Sequence, residues 1–133
     1  MISCQGGKRI NQSVKGMISS VTKAQIQSCL DSLEILEPKD YELGTPQLEE
    51  SSEYIEKIIS YGPSAISYLM DLSSNATPKK TAYIVFILGK LDGRGLTEQI
   101  IKIRTEFENK TSKSDWDYAV IGQCNIILKK PGD

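Results

Sequence analysis

The most informative segment of this 133-residue sequence is residues 77–91, TPKKTAYIVFILGKL. It opens with Thr77-Pro78, a typical helix start, because threonine caps the first N–H groups and proline at the first helical position has no N–H to lose. Residues 82–88 are all apolar, and a helix with almost no polar face is normally buried. The β-branched residues in this run would also suit a strand, but the capping signals on both sides favour a helix. We therefore expect a central helix here, with Phe86 and Leu88 near the middle of the domain.

Start signals of the same kind, each followed by apolar residues at steps of three and four, divide the rest of the chain into helices. Proline and glycine mark helix ends, for example Pro38 after the first helix and Gly62-Pro63 after the second. We predict an all-α domain at residues 21–130, with six helices and no strand, preceded by a flexible arm at residues 1–20. The predicted helix starts are Thr22 (with Gln25 completing a capping box), Thr45-Pro46, Pro63, Thr77-Pro78, Thr97 and Ser114.

Two segments of the sequence resemble parts of a HEAT-like helical repeat. Residues 62–69, GPSAISYL, are similar to the first helix of such a repeat, of the kind related to the phycobilisome lyases. Residues 87–95, ILGKLDGRG, are similar to the end of its second helix and the turn that follows. The helices that start at Gly62 and Leu96 lie 34 residues apart, within the period of roughly 20–50 residues typical of solenoids. The resemblance covers about residues 46–130 and implies a short right-handed α-solenoid of about three antiparallel helix hairpins.

The sequence departs from this family pattern at two places. Pro78-Lys79-Lys80 stands where the family has an aspartate and a Val-Arg pair, so the Asp–Arg ladder between repeats is absent. The third repeat has Gly122-Gln123-Cys124 in place of the small-residue motif, whereas Gly89 in the second would let its helix approach a neighbour closely. Tetratricopeptide repeats share the period but not the residue pattern, and an irregular helical bundle is the alternative. The expected hairpins are residues 22–61, 63–91 and 97–129, with the second helices forming a slightly concave binding surface.

The composition argues against an enzyme. The chain has no histidine, which removes the usual general base, the Ser-His-Asp and Cys-His nucleophile systems and most catalytic zinc sites. Gly7-Lys8 lacks the glycine and the strand that precede a phosphate-binding loop, and Gly93-Arg94-Gly95 lacks the third glycine of a dinucleotide fingerprint. The sequence also has no Cys-x-x-Cys and no calcium-loop motif. We therefore predict no catalytic residue, no metal site and no cofactor.

Charge and hydropathy indicate a cytoplasmic protein that binds neither membranes nor nucleic acids directly. Sixteen basic and seventeen acidic residues give a net charge of −1, which is not the strongly basic balance of a nucleic-acid binder. The longest apolar run has seven residues, well below the ~20 that span a membrane, and the polar start of the chain does not resemble a secretory signal. The cysteines, an odd number at unrelated spacings, fit reduced thiols: Cys4, Cys29 and Cys124.

The charged residues are unevenly distributed along the chain. Residues 1–30 hold four basic residues and no acid, whereas residues 31–56, the acidic segment, hold nine acids against Lys39 alone. The simple interpretation is a solvated helix face, and the functional one is a patch that steers a basic partner. Three of these acids would share one face of the predicted second helix, opposite its apolar stripe: Glu49, Glu53 and Glu56.

The sequence predicts a non-catalytic protein–protein interaction module whose partner is another protein with a basic surface. The narrower version is a bacterial immunity or antitoxin-type inhibitor, and the alternative is a lyase-type chaperone or maturation factor that holds a cofactor or substrate protein. Tyrosine adds contact area at low entropic cost, so tyrosines near the acids are included. The candidate partner-binding residues are Tyr41, Glu42, Glu49, Glu50, Glu53, Tyr54 and Glu56, extended along the concave face by Tyr83 and Tyr118.

Overall fold

A computed structural model describes residues 18–39, 41–42, 44–92 and 94–129 of the chain. Within these ranges the protein is mostly helical, which confirms the predicted all-α class. The expectation of no strand is wrong, because two strands of two residues each form a short hairpin. Most of the arm expected at residues 1–20 lies outside the described residues. The helices are α1 (Ser20–Ile35), α2 (Glu53–Ser60), α3 (Ile66–Ser73), α4 (Pro78–Asp92), α5 (Thr97–Glu108) and α6 (Asp115–Leu128); 3₁₀ turns at Gly62–Ala65 and Arg94–Leu96 precede α3 and α5, and the strands are β1 (Tyr41–Glu42) and β2 (Thr45–Pro46).

Helix α4 is the centre of the fold, as its sequence predicts. It packs against α1, α2, α3 and α6, and its middle is buried almost without interruption. Leu88 is fully buried. Gly89 lies so close to α6 that a Cβ atom there would stand 2.8 Å from the Cδ1 atom of Ile127. The missing side chain therefore permits the close approach of α4 and α6, as the sequence suggested.

The expectation that Phe86 lies near the centre of the domain is wrong. Its side chain is half-buried and packs against the edge of the core. Lys90, one helical turn later on the same face, places its ammonium 5.3 Å from the centre of the Phe86 ring. A lysine cannot reach a ring enclosed by apolar neighbours without giving up its hydration, so this pair marks the side of α4 that reaches the surface.

The predicted start of the second helix at Thr45-Pro46 is also wrong. These residues form β2, which pairs antiparallel with β1 in the register Tyr41 to Pro46 and Glu42 to Thr45. The hairpin turns through Gly44 at φ +84°, a conformation that glycine adopts without strain. Pro46 is buried, and β2 packs against α6. The Thr45-Pro46 pair suits a helix start as well as it suits this strand, and the packing of the hairpin against α6 decides between the two.

The helix caps agree with the sequence at some starts and differ at others. Helix α2 begins at Glu53, where Ser52 Oγ accepts a hydrogen bond from the N–H of Tyr54. Helix α1 begins earlier than the Thr22 signal, because Ser19 Oγ accepts the N–H of Thr22 itself at 3.1 Å. The Thr77-Pro78 start is confirmed by a 3.2 Å bond from the N–H of Lys80 to Thr77 Oγ1.

A buried carboxylate, Asp117, fixes the start of α6. Its oxygens accept hydrogen bonds from the N–H of Ser114 at 2.8 Å and from Lys110 Nζ at 2.6 Å. Ser114 Oγ in turn accepts the N–H of Asp117 at 3.2 Å, which completes a capping box. Burial by itself would raise the pKa of Asp117, but these hydrogen bonds to the ionised form outweigh it and hold the pKa below the usual value of 3.8.

We expect Asp117→Ala to lower the free energy of unfolding by about 2–3 kcal/mol, because the charged hydrogen bonds and the cap are lost together. The folded pKa lies below the unfolded one, so the contribution is complete above the unfolded pKa and disappears as the pH falls through the folded pKa. Urea unfolding at pH 7 and along a series down to pH 2 measures both effects. Asp115→Ala, an exposed neighbour in the same turn, is the control, and equal losses in the two variants would contradict this role.

Leu88→Ala should cost about 2–5 kcal/mol of unfolding free energy, because it opens a cavity in the packed centre. Phe86→Ala should cost less than Leu88→Ala, although phenylalanine is the larger residue, because its side chain already reaches solvent. Chemical denaturation followed by circular dichroism compares the two. A larger loss for Phe86→Ala would place that ring in the core after all.

Candidate functional site

Two acids of the acidic segment are used to join helices. Lys80 on α4 lies with its Nζ 2.6 Å from Asp31 Oδ1 and 3.5 Å from Glu34 Oε1, both on α1. The hydrogen bond to Asp31 raises the pKa of Lys80. Glu34 also accepts a 2.5 Å hydrogen bond from the hydroxyl of Thr77, the residue that caps α4. These carboxylates therefore stabilise the contact between α1 and α4 and are not free for a partner.

Glu49 is tied to the core through its backbone. Its N–H donates a 3.1 Å hydrogen bond to the hydroxyl of Tyr83. Its carboxylate lies 3.8 Å from Lys39 Nζ, but that lysine side chain is 80% exposed, and such a surface ion pair contributes little. Glu49 precedes α2, so the expectation that Glu49, Glu53 and Glu56 share one helical face is wrong.

Tyr83 was expected on the partner-binding face, and the structure corrects this. Only 2% of the residue is exposed, and its ring centre lies 6.3 Å from that of Trp116. Burial raises the pKa of its hydroxyl. Because α4 is covered on several sides by other helices, a tyrosine in its middle serves the core and cannot contact a partner.

Three further acids are exposed, one just before α2 and two in its first turn. Glu50, Glu53 and Glu56 reach solvent, and within the described ranges none of them forms an ion pair. We call these three residues the acidic face. Glu53 and Glu56 lie in the first turn of α2, where negative charge also favours the helix dipole. Of Glu42, the structure describes the backbone in β1 but not the side chain.

The other candidate tyrosines are accessible. Tyr41 on β1 is 56% exposed and Tyr118 on α6 is 51% exposed. Tyr54 is half-buried at the start of α2. It belongs to a cleft of about 350 Å³ between α1 and α2, together with Gln25, Ser28, Cys29, Glu53 and Lys57. Three of the four tyrosines chosen from the sequence are thus available for contact.

Two adjoining cavities that the sequence did not reveal lie along α6, and together we call them the α6 groove. They share Gln123 and Ile126. The first, of about 180 Å³, is completed by Glu50, Phe86, Gly89, Lys90 and Ile127. The second, of about 340 Å³, is completed by Thr45, Pro46, Gln47, Ala119 and Gly122.

Ile126 lies on the outer side of α6, and 59% of the residue is exposed. The buried side of α6 consists of Ala119, Val120, Cys124 and Ile127. Tyr118, Gly122 and Ile126 follow one another at steps of four residues, so they share the outer side. That i, i+4, i+8 spacing was the signal available in the sequence.

The described residues offer little for redox or metal chemistry. Cys29 and Cys124 are free thiols and buried, and burial raises the pKa of Cys124 to about 12, so this thiol stays protonated at neutral pH. Within the described part of the chain, no group of three histidine, cysteine, aspartate or glutamate residues is placed to hold a metal ion. None of the described helices is both long and apolar enough to cross a membrane.

Comparisons with known proteins do not add to this picture. No family model matches the sequence, and no match is found among curated proteins or solved structures. The acidic face and the α6 groove are the surface features from which we infer a function.

Proposed function

We propose that this chain is a non-catalytic protein-interaction module that binds a basic partner protein through the acidic face. One observation carries the proposal. Asp31 and Glu34 of the acidic segment are neutralised by Lys80, whereas Glu50, Glu53 and Glu56, like Glu37, are exposed with no ion pair among the described residues. Clustered like charges repel one another by a few tenths of a kcal/mol per pair, and a basic partner would relieve that repulsion.

The surroundings of the acidic face support recognition by charge. Lys39 is the one basic residue of the acidic segment, and the nearest other lysines are Lys57, beside Glu53 in the cleft between α1 and α2, and Lys90, beside Glu50 in the first cavity. Unscreened surface charge of one sign raises association rates. Tyr41 and Tyr54 add apolar area with a polar tip beside the acids, which is the composition of interface anchors.

We also propose that the helices form a short HEAT-like solenoid. The helices pack as successive pairs, α1 with α2, α3 with α4 and α5 with α6. Helix α4 further contacts α2 and α6, which are the second helices of the adjacent pairs, and it also contacts α1. This serial packing is typical of a solenoid, in which second helices line one surface. The acidic face at the start of α2 would then lie at one end of that surface.

The narrower form of the proposal is a bacterial immunity or antitoxin-type inhibitor. Enzymes that cleave nucleic acids carry basic grooves that neutralise phosphates. A small domain that presents unpaired carboxylates and tyrosines is complementary to such a groove. An inhibitor of this kind would be one example of a protein that binds a basic protein surface.

Reversing two charges of the acidic face tests the proposal. We expect Glu50→Lys with Glu53→Lys to weaken binding of a fluorescent ten-lysine peptide about tenfold at low salt, because the change replaces local attraction by repulsion. The matched control is Glu98→Lys with Glu106→Lys on α5, two exposed acids that give the same net charge. Fluorescence anisotropy at low salt and at about 0.5 M salt measures the difference, which should vanish at high salt. Equal weakening by both double variants would contradict a localised site.

A further inference from the structure

The α6 groove begins at the acidic face. Glu50 belongs to both, since it is one of the three residues of the acidic face and lines the first cavity beside Phe86. The carboxylate of Glu50 has no ion-pair partner among the described residues, whereas the ammonium of Lys90 lies over the ring of Phe86. Lys90 lines the same cavity and keeps its charge, so the rim carries one ammonium over the Phe86 ring and one carboxylate at Glu50 that is open to an incoming cation.

The first cavity suits one apolar side chain. Phe86 and Ile127 contribute apolar surface to this cavity, and Glu50, Lys90 and Gln123 contribute polar groups around it. Its volume is about 180 Å³, and an apolar cavity of about 150 Å³ holds a benzene molecule. A leucine or phenylalanine side chain from another protein matches this size. Ile126, which is 59% exposed, stands at the mouth.

The outer side of α6 continues this apolar surface in a straight row. Tyr118, Gly122 and Ile126 span eight residues, which is about 12 Å or two helical turns. Gly122 makes a notch in the middle of the row, because a Cβ atom placed there would meet nothing within 4 Å. Gln123 lies at the junction of the two cavities, and its side-chain amide forms no hydrogen bond among the described residues. A row of this length and spacing is what a short amphipathic helix covers.

We propose that the α6 groove receives a short amphipathic helix of the basic partner, with one apolar side chain in the cavity beside Phe86 and a lysine or arginine at Glu50. This inference rests on the proposed function and names the chemistry of the partner segment. A second copy of this chain fits less well, because its own Glu50 and acidic face would bring like charge to the rim. The acidic face supplies attraction at a distance, and the groove supplies the anchor that slows dissociation.

A pair of peptides tests the groove directly on the full chain. The first is a helical 14-residue peptide of lysine and leucine with its leucines on one face, and the second has asparagine in place of those leucines. We expect Ile126→Asn to weaken the leucine peptide about tenfold, the effect of removing an interface anchor, and to leave the asparagine peptide unchanged. Ile101→Asn on α5, at a second exposed isoleucine (40%) outside the groove, is the matched control. Gly122→Gln, which fills the notch, should act like Ile126→Asn.

The outcomes separate this inference from the proposed function. If the acid reversals weaken both peptides while Ile126→Asn and Gly122→Gln weaken neither, the acidic face binds the partner and the groove proposal is wrong. If the groove variants weaken the leucine peptide and the acid reversals have no effect, the basic character of the partner is wrong. If sedimentation shows a dimer that Ile126→Asn dissociates, a second copy occupies the groove and the inference is overturned. Failure of both peptides to bind at millimolar concentration contradicts both proposals.

Discussion

The buried hydroxyl of Tyr83 needs a hydrogen-bond partner, and the backbone N–H of Glu49 supplies it at 3.1 Å. Leaving such a buried group unpaired costs about 1–3 kcal/mol, so the segment before α2 is held against α4 at this point. The constraint has two consequences. Glu50, the next residue, lies beside Phe86 at the edge of the core, and α2 starts shortly afterwards at Glu53. One core contact thus connects the buried helix to the exposed acids.

Acidic residues serve two different purposes in this fold. Asp31 and Glu34 are drawn to Lys80, whose side chain is mostly covered, and there they fasten α1 to α4. Glu50 and the two acids at the start of α2 remain in solvent without an ion pair among the described residues. The sequence shows a uniform run of negative charge, but the structure divides it. That division is the reason for locating a binding surface at α2 and the adjoining α6 groove.

Capping residues and apolar runs in the sequence correctly predicted the features of the fold that depend on local interactions. The Thr77-Pro78 start and the burial of most of α4 follow from capping chemistry and an uninterrupted apolar run. The start of α2 could not be predicted in this way, because Thr45-Pro46 satisfies the same capping pattern and is diverted into a hairpin that packs on α6. Tyr83 and Tyr118 look equivalent in sequence, but they differ in burial because α4 is enclosed and the outer side of α6 is not. The neighbouring isoleucines of α6 differ for the same reason, since Ile127 faces the core and Ile126 is 59% exposed.

The central claim, that the core holds the acidic segment in place through Tyr83, is tested most directly by amide hydrogen exchange at Glu49 in the Tyr83→Phe variant. Phenylalanine keeps the ring and its packing and removes only the hydroxyl. If this bond holds the segment, the variant keeps its fold and loses about 1 kcal/mol of unfolding free energy. Hydrogen exchange at the Glu49 amide should then accelerate more than exchange at the core amides of α4, which respond only to the loss of overall stability. Unchanged protection of the Glu49 amide would contradict the account, because the segment before α2 would then be held by something other than this bond.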